Sequence, residues 1–179
     1  MNIPHYSKTS WITKLGAIVP EFVEFDKQNR IDYSNVYSEV KGSLELDILG
    51  KKINIMAIAD RIAVNNTGNA VIIDYKTGSV PTKKDVLSGL SPQLIIEAII
   101  LSENGFPIKV REIEKLIYVK INSSDPYIKT IEIPISKDDI SSHKEGLISL
   151  LEHYMKNKSF IIEQNLMQYD DYAHLARGL

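Results

Sequence analysis

Two aspartates and a lysine stand out midway along the chain: Asp60 within one apolar run, and Asp74 and Lys76 at the end of the next. Residues 53–64 and 70–76 read as strands, separated by the turn composition Asn65-Asn66-Thr67-Gly68-Asn69. Centring that loop on Thr67 sets Val64 across from Ala70 and Asp60 across from Asp74. Directly opposed residues share a sheet face with Cβ atoms about 4.5–5.5 Å apart, where like charges repel. A hard divalent cation relieves the repulsion, since magnesium takes carboxylate oxygens at about 2.0–2.1 Å and completes its octahedron with water. Alternation along the strand puts Lys76 on the face of Asp74 and turns Ile73 and Tyr75 to the other.

The Gly50-Lys51 turn suggests a second hairpin, with Glu39 opposite Ile62 and Lys41 opposite Asp60, so that Glu39 looks toward the same face. A carboxylate pair, a third acid and a lysine are the inventory of metal-assisted hydrolysis. The cation acidifies and orients a water and stabilises charge on a phosphate, while the lysine positions the water or the developing anion. Asp-x-Lys alone is common, and Glu39-Val40-Lys41 is a second acid-x-Lys in this chain. The strand context and the matching position of Asp60 give Asp74-Tyr75-Lys76 its weight.

Several elements must position these residues. Residues 9–30 carry Trp11, Ile12, Leu15, Val19, Phe22, Val23 and Phe25 around Pro20, and read as one or two helical pieces. Three strands follow, at 40–49, 53–64 and 70–76. Between 83 and 104, Leu87, Leu90, Leu94, Ala98 and Leu101 recur at helical intervals, with Gly105 as a stop. Residues 116–121 and 128–135 read as strands, and 137–158 as a helix capped by Ser136. The order helix, meander, helix, strand, strand, helix, without internal repeats, predicts an α/β or α+β three-layer plan. Its expected core includes Ile55, Ile73, Leu87, Leu90, Leu94, Leu116 and Val119.

Composition narrows the chemistry. The 179 residues suit one domain, with a helical part at about 1–36, a core at 37–158 and a tail at 159–179. Hydrophobic residues at 44% and charged residues at 25% are globular values. No apolar run is long enough to span a membrane, and no secretory signal opens the chain, so a cytoplasmic location is expected. The absence of cysteine excludes disulfides, thiolate metal sites and a cysteine nucleophile, leaving oxygen or imidazole to hold any metal. A formal charge of −2 and a pI near 6.1 mean that any grip on DNA is local or borrowed from a partner. His143, His153 and His174 lack metal-ligand spacing and read as structural or surface residues. The segment from Gly78 to Lys84 matches neither a Walker loop nor a dinucleotide fingerprint, so no nucleotide cofactor is expected.

Three ordered motifs, Ala59-Asp60-Arg61-Ile62, Ile72-Ile73-Asp74-Tyr75-Lys76-Thr77-Gly78 and Pro92-Gln93-Leu94, resemble the RecB/AddB family of PD-(D/E)XK nuclease domains. The likeness is greatest to the C-terminal nuclease domain of alphaproteobacterial AddB, a subunit of a double-strand break repair helicase-nuclease. There Leu90-Ser91-Pro92-Gln93-Leu94 and Asp171-Tyr172-Ala173-His174-Leu175-Ala176-Arg177 also have counterparts, so the similarity covers most of the chain. The resemblance implies one nuclease-like domain over residues 1–179. Its fold would be a restriction-endonuclease-like three-layer core, in which helices flank a mixed sheet made of an antiparallel meander plus a crossover strand. It also implies a DNA nuclease of the exonuclease type that depends on Mg2+ or Mn2+ and serves break repair or recombination. Single- or double-stranded DNA ends would be its substrate, an AddA-type helicase-nuclease subunit its partner, and no membrane would be involved. By the same resemblance Asp60, Asp74 and the Tyr75 backbone carbonyl bind the metal, Lys76 is the catalytic lysine, and Glu39 is an auxiliary acid and further ligand. Gln93 would be the glutamine of the following helix, oriented near the metal or the DNA. The chain departs from the family at Glu97, where many relatives carry tyrosine. The family's preceding helicase-like body and the helix with its upstream histidine are also expected to be missing, for His5 lies in no matching context. An impaired nuclease fold kept as a DNA- or protein-binding module is the alternative. An unrelated α/β binding domain would need three coincidences in order.

Overall fold

The structure, a computed structural model, describes residues 5–156, with side chains from residue 12 onward. The His5 and Trp11 side chains, His174, the 171–177 run and the remainder of the 159–179 tail lie outside the described residues. The elements are α1 (His5–Asp32), β1 (Asn35–Ile48), β2 (Lys51–Val64), β3 (Asn69–Lys76), α2 (Lys83–Leu87), α3 (Gln93–Ser102), β4 (Glu112–Ile121), β5 (Ile128–Pro134) and α4 (Lys137–Lys156). One five-stranded sheet runs β1-β2-β3-β4-β5. β1 to β3 form an antiparallel meander, β4 lies parallel to β3 after the helical crossover, and β5 returns antiparallel. This is an α/β fold with a mixed sheet flanked by helices.

Strand alternation splits the core in two. Ile62, Val64, Ala70, Ile72, Leu116 and Tyr118 face α3, where Leu94, Ile95, Ala98, Ile99, Ile100 and Leu101 are buried. Ala63, Val71, Ile73, Ile117 and Val119 face the other way, against Tyr33 and Phe25. α3 is apolar almost all round because it lies between the sheet and α4. α1 is one helix that runs through Pro20. Buried Arg61 fastens it to the sheet, donating to Asp26 at 2.6 Å, Asn29 at 3.1 Å and the Tyr75 hydroxyl at 3.2 Å.

The first hairpin closes one residue earlier than its composition suggests. Leu49 and Gly50 form the two-residue turn with φ of 54° and 75°, the positive pair that a primed hairpin turn requires, and the Asp47 carboxylate accepts from the Gly50 N–H. Ile48 therefore pairs with Lys51, and Tyr37 rather than Glu39 faces Ile62, while Lys41 faces Ile58 rather than Asp60. The ladder also skips one step on both strands. Ser38 pairs with Arg61 and Val40 with Ala59, leaving Glu39 (φ 52°) and Asp60 between them. Ala59 and Ile62 both face α3 as a result, and both strands turn over at Asp60.

The expected helix at 83–104 is two helices. Thr82 and Asp85 make a reciprocal capping box for α2, which ends at Ser88 ahead of Gly89 (φ 80°) and Pro92. The break swings Leu87 and Leu90 outward, each 39% exposed, and Val86 takes the core position. Ile73, Leu94, Leu116 and Val119 are fully buried as expected, and Ile55 packs against the core half-covered. The Ser136 cap of α4 is present, with the Asp139 N–H donating to its hydroxyl at 3.1 Å.

Candidate active site

The ladder between β2 and β3 has the register expected from the loop, with Val64 against Ala70 and Arg61 against Ile73. One step further stand Asp60 and Asp74, where regular pairing has ended. In its place the Asp60 carboxylate accepts from the Tyr75 N–H at 3.0 Å, a side-chain bond substituting for a strand bond. The two acids are near enough for the Asp60 charge to oppose ionisation of Asp74.

Asp74 is 2% exposed. Its Oδ1 accepts from Gln93 Nε2 at 2.6 Å and from Lys76 Nζ at 3.1 Å. Its Oδ2 lies 2.9 Å from the Lys76 ammonium, an ionic contact that lacks hydrogen-bond geometry, so this oxygen has no hydrogen-bond partner. Burial raises the Asp74 pKa, with Lys76 and Gln93 pulling the other way. Lys76 Nζ also donates to Gln93 Oε1 at 2.9 Å and sits 6.0 Å from the centre of the buried Tyr118 ring. Parallel pairing places Tyr118 directly beside Asp74, and burial followed by the charges of Asp74 and Glu97 pushes its phenol up.

Gln93 owes its place to the break after α2, because it opens α3 at the end of β3 where Lys76 emerges. One turn later Glu97 is 2% exposed. Its Oε1 lies 3.4 Å from Gln93 Nε2, and its Oε2 has no partner. Burial pushes the Glu97 carboxyl up to about 7, and the charges of Asp74 and Asp60 add to the effect. The i, i+4 spacing from Gln93 was legible in sequence. The burial was not, because a glutamate on a helix ordinarily faces solvent.

Tyr75 faces away, its ring 5.8 Å from Phe22 of α1 and its hydroxyl near Arg61. Glu39 follows Asp60 in register but is exposed at the turnover of β1, and no hydrogen bond or ion pair joins it to the other site residues. His143 and His153 sit on α4, away from the site, and His143 lines a groove between α3 and α4.

Above Lys76, Gln93 and Tyr118 lies a cavity of about 410 Å³ bordered by the Ser79–Pro81 stretch and Leu90–Pro92. Ser79 also lines an adjoining cleft of about 540 Å³ between α1 and the ends of β3 and β4, with Lys14, Leu15, Ile18, Thr77, Lys120 and Asn122. Among the described residues neither Lys14 nor Lys120 forms an ion pair.

The donor set suits a hard divalent cation rather than a soft one, being carboxylate oxygens without sulfur or imidazole. Asp74 Oδ2, which has only the ionic contact with Lys76, and Glu97 Oε2, which has no partner among the described residues, are buried acceptors that such an ion or its waters would satisfy. Among the described residues no three His, Asp or Glu side chains form a finished cage. Two protein carboxylates with water are enough for magnesium, which keeps several of its waters in protein sites. Among the described residues no helix is long and apolar enough to cross a membrane.

A family model described as the PD-(D/E)XK nuclease superfamily matches residues 3–165. An uncharacterized protein of Rickettsia bellii is 44% identical over 97% of this chain, which covers 22% of that protein. Uncharacterized protein RC0550 of Rickettsia conorii is 42% identical over 98% of the chain and 24% of its own length. The chain thus spans about a quarter of the relatives it matches. The crystal structure of SSO0001 is similar with a TM-score of 0.45 at 20% identity, covering 86% of this chain and 68% of that one.

Proposed function

This chain belongs to the PD-(D/E)XK nuclease superfamily, whose members hydrolyse phosphodiester bonds, and from that premise we propose that it is itself a DNA nuclease dependent on Mg2+ or Mn2+. The observation that carries the reading is buried Asp74, gripped by Lys76 and Gln93 yet left with one oxygen lacking a hydrogen bond. A purely structural acid at this depth would not also be set beside a second acid, Asp60, whose charge opposes its ionisation.

In this reading Asp60 and Asp74 hold the cation, with the Tyr75 carbonyl as a backbone donor. When bound there, the ion would supply a water of lowered pKa and stabilisation of charge on the phosphate. Lys76 keeps its proton at Nζ and orients the attacking oxygen or neutralises the developing anion. Gln93 fixes both, its carbonyl on Lys76 and its amino group on Asp74. The exposed Glu39 is an outer, water-mediated contributor. Lys14 and Lys120 give phosphates a local hold that the net charge of −2 does not supply.

The three ordered motifs favour a RecB/AddB-type exonuclease acting on single- or double-stranded DNA ends. They also favour a cytoplasmic role in break repair or recombination, beside an AddA-type helicase-nuclease subunit. Supporting a second reading, a DNA- or protein-binding module, is the overall acidity of the chain. Defined single- and double-stranded DNA incubated with Mg2+, Mn2+ or EDTA separates the two. The nuclease reading expects cleavage with either metal and none in EDTA. A clean preparation that binds DNA without cutting it would favour the module.

A further inference from the structure

We infer that Glu97 is the third acid of the cation site, linked to Asp74 through Gln93 and offering its free oxygen to a bound cation directly or through one water. The inference rests on the reading of Asp60 and Asp74 as cation ligands.

Glu97 lies on a face of α3 that otherwise enters the core, with Leu94, Ala98, Ile100 and Leu101 buried around it. An apolar residue there would complete that face. Glutamate is almost never fully buried unless paired, and a buried acceptor without a partner is costly. Glu97 is 2% exposed, yet among the described residues its one neighbour at hydrogen-bonding range is Gln93 Nε2 at 3.4 Å, and Oε2 has none. Among the described residues none of α4 or of the sheet bonds it, so a bond tying the helix to its neighbours does not account for it.

The other carboxylate oxygen of the site without a hydrogen bond is Asp74 Oδ2, in ionic contact with Lys76, while Asp74 Oδ1 accepts from the same glutamine amide. The amide has two N–H donors, and here they are directed to the two acids, leaving Glu97 Oε2 free and Asp74 Oδ2 with only its ionic contact to Lys76. With all three acids ionised, Asp60, Asp74 and Glu97 outweigh Lys76 by two negative charges, the charge that one divalent cation cancels. The depth of Glu97 makes its charge effective, because little water screens it.

Mn2+ binding by the intact chain, measured without DNA by calorimetry at pH 8, reads this independently of cleavage. Wild type, Glu97→Gln, Glu97→Asp, Asp74→Ala and an exposed-acid control, Glu45→Gln, are compared after thermal melts in EDTA have verified folding. Glu97→Gln is expected to weaken Mn2+ by 10–100-fold, as loss of a supporting group at a metal site does. Glu97→Asp should weaken it less, and Glu45→Gln should leave it unchanged. Wild-type affinity retained in Glu97→Gln, while Asp74→Ala has lost it, overturns the inference and spares the cation site. A wild-type chain that binds no Mn2+ removes the cation site itself. If Glu97→Gln does not fold, Glu97→Asp decides: it must bind Mn2+ more weakly than wild type, or the inference fails.

Discussion

Replacing Glu97 with glutamine should stabilise the cation-free protein, and do so only at higher pH. Glu97 is 2% exposed and its carboxyl is pushed up by burial from 4.5 to about 7. Between those values the folded protein holds a proton that the unfolded chain has released, so stability falls as pH rises through that window and levels off above it. One pH unit of difference is worth about 1.4 kcal/mol, so the ionised acid costs at most about 3 kcal/mol at pH 8.5 and under about 1 kcal/mol at pH 5. Glutamine has the same shape without the charge, and gives up only the long 3.4 Å contact with Gln93, under about 1 kcal/mol. The net gain at pH 8.5 is about 2 kcal/mol, or roughly 4–8 °C in Tm for a chain of this size, shrinking to nothing at pH 5. Circular-dichroism melts in EDTA at the two pH values measure it. A gain equal at both pH values, or a loss at pH 8.5, would refute the claim that Glu97 is a buried, uncompensated acid.

Arg61→Ala should cost about 1.5–3 kcal/mol, because it removes the bonds from the sheet to Asp26, Asn29 and the Tyr75 hydroxyl and unfastens α1, while Arg30 stays paired with Asp26; urea unfolding measures it, and a loss below about 0.5 kcal/mol contradicts the anchoring role. Lys76→Ala should keep Mn2+ binding while cleavage slows by about 10²–10³-fold, so equal losses in both assays would rule out separate roles for lysine and carboxylates. Lys14→Glu with Lys120→Glu should weaken DNA binding at low salt and lower the salt slope by about one for each phosphate no longer neutralised, whereas an unchanged slope in fluorescence anisotropy would remove that cleft from the DNA path.

The elements that carry the site were legible because their signals are local. The five-residue loop fixed the β2–β3 register, and alternation then placed Asp74 and Lys76 together with Tyr75 behind them. The β1–β2 register misled because Leu49, rather than a residue with turn preference, takes the left-handed position at the hairpin. The misjudged turn shifted Glu39 by two residues, an even slip that kept its face. What composition could not show was the turnover at Glu39 and Asp60, which reverses the faces of both strands without changing their register. The apolar spacing of Leu87, Leu90 and Leu94 masked the break after α2, where Gly89 and Pro92 carry the relevant signal. Glu97 was visible only as a neighbour of Gln93, since burial of a charged side chain is set by tertiary packing.

The central claim is that Asp74 lies at the heart of a cation-dependent hydrolytic site, and single-turnover cleavage of end-labelled DNA in Mn2+ tests it most directly. Wild type should cut, EDTA should stop it, and Asp74→Ala, folded by its melt, should lose cleavage while binding DNA at least as well, since a negative charge has left the site. Cleavage at the wild-type rate by Asp74→Ala would contradict the account.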